Sequence, residues 1–109
     1  MIKHTTISNI AAYHFVPVMD PDALAIRLRE LAEAGGLRGT VLVAEEGINL
    51  FLAGETAEID DFVRNLRDDS RFATMTVKAS QSTDVPFSRL KVKVKPEIIS
   101  LRQSGAAPG

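Results

Sequence analysis

Four cations stand at alternate positions near the end of the chain, Arg89, Lys91, Lys93 and Lys95, in the stretch RLKVKVKPEIISLR. Alternate residues of a strand share one face about 6.5–7 Å apart, so this row can follow the phosphates of a nucleic-acid backbone. Arg102 adds a fifth charge and Glu97 is the one acid in the stretch, whereas the whole chain carries a net charge of -1. Any pull on nucleic acid is therefore local rather than a property of the whole surface. The same lysines have a plainer use, because like charges along a sheet edge keep a second edge from pairing with it.

A second group is aromatic. Tyr13, Phe15 and Phe51 fall in two segments of strand character. On a free sheet face such rings stack bases, as in RNA-recognition modules. Under another element they are core or contact residues, and NLFLAG lacks the aromatic pair and glycine pattern of such a module's third strand. Other candidates for chemistry are thinner. Glu45 and Glu46 are adjacent, and adjacent side chains of a turn do not aim at one point, so they read as a solvated turn rather than an acid–base pair. His4 and His14 have no partner at metal-ligand spacing, and no metal site is expected. The chain has no cysteine, which excludes a disulfide, a thiolate nucleophile and cysteine-ligated metal on these residues. No catalytic residue and no cofactor is assigned to them.

The elements that must carry these residues follow from periodicity. Ile7 to Val18 alternates as a strand, with Ala11, Tyr13 and Phe15 on one side and Ala12, His14 and Val16 on the other. Asp20 is a good N-cap and Pro21 a good first residue for a helix bearing Leu24, Leu28, Leu31 and Ala32. Gly35-Gly36 ends it. Arg38 to Glu45 and Ile48 to Ala53 are the arms of a hairpin. Gly47 supplies the positive φ of a type I turn with a G1 bulge, and a two-residue Glu46-Gly47 loop is the alternative. Arg38 and Asn49 bracket this hairpin and are placed to bind one another or a partner. Ile59, Phe62, Val63 and Leu66 mark a second helix, capped by Gly54, Glu55 or Thr56. Met75 to Ser80 is a fourth strand, Gln81 to Ser88 a loop, and Arg89 to Ile99 a fifth strand whose Pro96 suits an edge.

Both faces of the hairpin are apolar. Leu42, Leu50 and Leu52 cannot all share a face with Val41, Val43 and Phe51, so one set lies outside the main core. Tyr13, Leu50 and Phe51 are the expected contact residues if that set meets a partner domain or a second copy. The order βαββαβ plus a further strand gives an α+β, ferredoxin-like sandwich, with one antiparallel sheet, two helices on one face and an extra C-terminal edge strand. Acylphosphatases share this order. Their phosphate loop is rich in glycine and followed by arginine, whereas HFVPVMDPD has neither and presents acids, so that activity is excluded.

Four segments then point to a family. They are AYHFVPV, LRGTVLVAEEGIN with Ala53-Gly54, IDDFVRNLRDDSRF and PFSRLKVKVKPEIISL. With Arg38-Gly39-Thr40, the turn Glu46-Gly47-Ile48-Asn49, Pro86-Phe87, Arg89 and the lysine row, the chain resembles the N-terminal, acylphosphatase-like domain of the bacterial rhodanese-related tRNA uridine 5-hydroxylases. The resemblance implies a longer parent chain, with this domain over residues 1–102 and a linker from Gln103 to a C-terminal rhodanese domain bearing the catalytic cysteine. It implies that the parent hydroxylates the wobble uridine of certain tRNAs, using oxygen. The share of these residues would be tRNA contact, through Arg38, Arg89, Lys91, Lys93 and Lys95, or packing on the catalytic domain. The other reading is a protein-interaction or dimerisation module of a sulfurtransferase-like protein. Leu50-Phe51 replaces the glycine-threonine usual in that family, Leu90 a methionine and Pro96 a lysine. No run spans a bilayer and the start lacks the pattern of a signal peptide, so a cytoplasmic protein without membrane contact is expected.

Overall fold

The computed structural model describes residues 6–96. The elements are β1 (Ile7–Phe15), α1 (Pro21–Ala34), β2 (Arg38–Ala44), β3 (Gly47–Glu55), α2 (Thr56–Arg67), a 3-10 turn (Ser70–Phe72), β4 (Val77–Ser82) and β5 (Leu90–Val94). His4, the expected continuation of the last strand to Ile99, Arg102 and the linker from Gln103 lie outside the described residues. One sheet of five strands runs β4-β1-β3-β2-β5. Both βαβ units are split, since β3 lies between β1 and β2, and β1 lies between β3 and β4. This is the expected ferredoxin-like arrangement.

The sheet is not wholly antiparallel as expected: β5 pairs parallel to β2, with Gly39 opposite Leu90 and Val43 opposite Val94. The cause is connectivity. β4 ends at Ser82, opposite Ile7, at the end of the sheet where β2 begins. The seven residues 83–89 reach at most about 23–25 Å, enough to cross the four strand gaps, about 19 Å, but not to return along the sheet as well. β5 therefore starts beside the start of β2 and runs with it.

The helices cover one face. Leu24, Ala25, Leu28 and Ala32 of α1 and Ile59, Phe62 and Leu66 of α2 are buried. They share one cluster with Ile10, Ala12, Val41, Val43, Ile48, Leu50, Leu52 and Val92 of the sheet. Leu50 is thus corrected: at 0% exposure it belongs to this core and not to a contact surface. Its neighbour Phe51 is 47% exposed on the other side. Burial of the hairpin's branched set against two helices is the stronger drive, and it settles the face that alternation left open.

The hairpin loop is Glu45-Glu46, with Ala44 opposite Gly47, rather than a bulged turn or a Glu46-Gly47 loop. Gly47 does take positive φ, at 147°. A Cβ there would run into the His14 carbonyl of β1, so close approach of the strands excludes a side chain. Gly39, with φ 136°, meets the Phe51 carbonyl in the same way. Asp20 precedes α1 but caps no helix N–H through its side chain; its carboxylate turns to Arg71 at 2.8 Å. Glu55 holds the N-cap position of α2. Among the described residues no helix is long and apolar enough to cross a membrane.

Candidate nucleic-acid interface

With one face given to the helices, the other carries a single composition. Pairing sets its rows. Lys78 of β4, Ala11 of β1, Phe51 of β3, Thr40 of β2 and Lys91 of β5 form one row across all five strands. Tyr13, Asn49, Leu42 and Lys93 form the next. Ser80, Asn9, Ala53 and Arg38 lie on the other side of the first row. Val92 is buried among the helices, and alternation therefore puts Lys91 and Lys93 on the opposite face. Arg89 and Lys95 flank them in the same alternation.

The rings of this face are exposed. Phe15 is 53% accessible and Phe51 47%. Tyr13 and Phe15 lie with ring centroids 4.7 Å apart at a tilt of 59°, a packed aromatic pair. Of the two places expected for these rings, core or contact, the domain's own core is not where Phe15 and Phe51 lie: both stand on the open face. Beside Phe51 a groove of about 390 Å³ runs between β1, β3 and β4, lined by Ala11, Tyr13, Asn49, Phe51, Thr76 and Lys78. A second groove, of about 370 Å³, shares Ala11, Phe51 and Lys78 with it and is lined further by Asn9, Ser80 and by Pro86 and Phe87 from the segment that crosses to β5.

Cations border the rings on both sides. Lys78 is on one edge strand, and Arg38, Lys91 and Lys93 are on or next to the other. The two edges are about 19 Å apart. Among the described residues the ion pairs involve Arg27, Arg29, Arg64 and Arg71, so none neutralises the cations of this face. Lys78 escaped sequence reasoning; its signal was the alternation Thr76, Lys78, Ser80, which only the pairing of β4 with β1 brings beside the rings. Arg38 and Asn49 are on this face but not together, since Arg38 is opposite Ala53 and Asn49 opposite Leu42.

The end of the sheet beyond β1 is built for structure. The backbone N–H of Val16 donates to the Glu46 carbonyl at 3.0 Å and that of Val18 to the Glu45 carbonyl at 2.8 Å. Those donors are spent on the hairpin loop and form no cradle for an anion. The Glu45-Glu46 turn thus acts through its carbonyls, which hold the chain as it leaves β1. His14 Nε2 lies 2.9 Å from the Arg71 carbonyl. Arg71 binds Asp69 at 2.7 Å and Asp20 at 2.8 Å. The Arg71 side chain hydrogen-bonded to Asp69 holds that carboxyl below the usual carboxylate range, and the same contact holds the guanidinium firmly charged.

These features define a class before they define a relative. The acylphosphatase of Bacillus subtilis superposes with a TM-score of 0.54 at 19% identity, over 80% of this chain and 97% of that one. BlrP1 BLUF gives 0.64 at 17% identity, over 87% of this chain and 67% of that one. Both show the ferredoxin-like fold and nothing of the site. Residues 7–98 match the UPF0176 acylphosphatase-like domain, and the chain belongs to that family. It is 57% identical over 102 residues to a tRNA uridine(34) hydroxylase of Xanthomonas campestris pv. campestris. It is 54% identical over the same length to that of Xylella fastidiosa. In each case the match takes in 94% of this chain and 40% of the relative, so the chain spans under half the length of these curated relatives.

Proposed function

We propose that this domain is the RNA-contacting, non-catalytic part of a tRNA-modifying protein. The parent chain in this reading is a tRNA uridine hydroxylase with a downstream rhodanese domain that performs the reaction. The observation that carries the proposal is the open face, where cations that form no ion pair among the described residues stand on both edges of exposed aromatic rings. Edge protection alone accounts for lysines on the borders but not for the exposed rings between them, whereas a nucleic acid engages both, phosphates on the lysines and bases on the rings. The identity to tRNA uridine(34) hydroxylases supports the same choice of partner.

The test is binding of unmodified tRNA by this chain across a salt series, for the native sequence and for Lys91→Ala/Lys93→Ala. Each lost phosphate contact lowers the slope of log K against log salt by about 0.7–0.9. The double variant is expected to lower it by about 1.4–1.8. Binding that ignores salt, or that the double variant leaves untouched, refutes the proposal. Concentration-dependent self-association lost with Phe51→Asp, without any RNA binding, would assign the face to protein contact instead.

A further inference from the structure

The cations account for attraction to any nucleic acid; they do not explain the rings and the groove between β1, β3 and β4. We infer that this groove receives unpaired bases, so that the face selects single-stranded RNA over duplex, a reading that rests on the RNA contact proposed above. Phe51 occupies the centre of the sheet in the row that joins Lys78 to Lys91. Its ring is half exposed and borders the groove with Tyr13. A base laid on Phe51 would have its phosphates within reach of either edge, because the ring sits about 10 Å from each. A duplex hides its base faces in its own stack and offers phosphates alone, so it gains the lysine contacts and not the ring.

The groove also holds a reader. Asn49 lies one row beyond Phe51 and lines the same groove. Among the described residues its amide has no hydrogen-bond partner. An amide offers both a donor and an acceptor, the pairing that a splayed base presents on its Watson–Crick edge. Charge complementarity favours nucleic acid over an apolar peptide here, since Lys78 lines the groove and among the described residues forms no ion pair.

The experiment is fluorescence anisotropy of the chain with a single-stranded RNA of about ten nucleotides and with a duplex of the same length. The variants are Phe51→Ala, Phe51→Leu, Phe51→Trp and Lys91→Ala/Lys93→Ala. We expect Phe51→Ala to weaken single-strand binding roughly five- to 150-fold and to leave duplex binding unchanged. Phe51→Leu keeps an apolar side chain but no π face and should behave as Phe51→Ala, while Phe51→Trp should bind as tightly as the native chain. Equal binding of single strand and duplex, with Phe51→Ala silent and the lysine variant weak for both, overturns the inference and leaves the RNA reading standing. Full binding by Phe51→Leu also overturns it. Binding of neither RNA defeats both readings.

Discussion

Replacing Leu50 and, separately, Phe51 by alanine probes the two faces of β3 one residue apart. Leu50 is fully buried, at 0% exposure, between the sheet and both helices. Truncation removes its transfer energy and leaves a cavity, which together cost about 2–5 kcal/mol. Phe51 keeps 47% of its surface in water. Full burial of such a side chain is worth about 1.5–3 kcal/mol, so roughly half of that, about 1 kcal/mol, is at stake. A loss of 1 kcal/mol moves the melting temperature of a domain near this size by about 4–8 °C. Leu50→Ala at about 3 kcal/mol should therefore lower it by about 12–24 °C, and Phe51→Ala by about 4–8 °C. Circular-dichroism melts read this directly, and urea titrations with an unchanged slope confirm that the same two states are compared. Equal losses, or a larger loss at Phe51, would show that the faces are assigned the wrong way round.

Three more outcomes follow from particular contacts. The Arg71 side chain hydrogen-bonded to Asp69 holds that carboxyl below the usual carboxylate range in the folded chain; its contribution is therefore present at neutral pH and is lost as pH falls through the lowered folded value. Asp69→Asn should lower the urea midpoint at pH 7 and flatten its fall in acid; a variant as pH-sensitive as the native chain would count against this. Gly47→Ala forces a side chain into positive φ and against the His14 carbonyl, and should cost about 1–3 kcal/mol or more in urea unfolding; no loss would mean the strands do not approach so closely. Asp20→Ala should cost only about 0–1 kcal/mol by the same measure, because its side chain is 52% exposed and caps no helix N–H; a larger loss would restore Asp20 as a helix cap.

Much of the fold was legible because local signals agreed. The apolar spacing of Ile59, Phe62 and Leu66, the Asp20-Pro21 start and the alternation on both sides of Glu45-Glu46 each name an element, and the order of elements names the sandwich. Two things were not legible for a physical reason. Alternation says which residues share a face, but not which face the helices cover. Leu50 and Phe51 look equally suited to either side, and only the closure of α1 and α2 over the sheet separates them. The direction of β5 depends on where β4 ends and how far seven residues reach, which is a property of the assembled sheet. The site divides in the same way. Arg89, Lys91, Lys93 and Lys95 could be read from spacing within one strand, whereas Lys78 joins the face only through long-range pairing, and the half-exposed state of Phe15 and Phe51 only through the choice of face.

The central claim is that the uncovered face of the sheet meets RNA. Titration of tRNA into the isotope-labelled chain, followed by amide chemical shifts in NMR, reads the location residue by residue. If the face meets RNA, the amides of Ala11, Tyr13, Asn49, Phe51, Lys78, Lys91 and Lys93 move first and most, while the outward residues of α1 and α2 stay still. Shifts confined to the helices, or a spectrum unchanged at saturating tRNA and low salt, would contradict it.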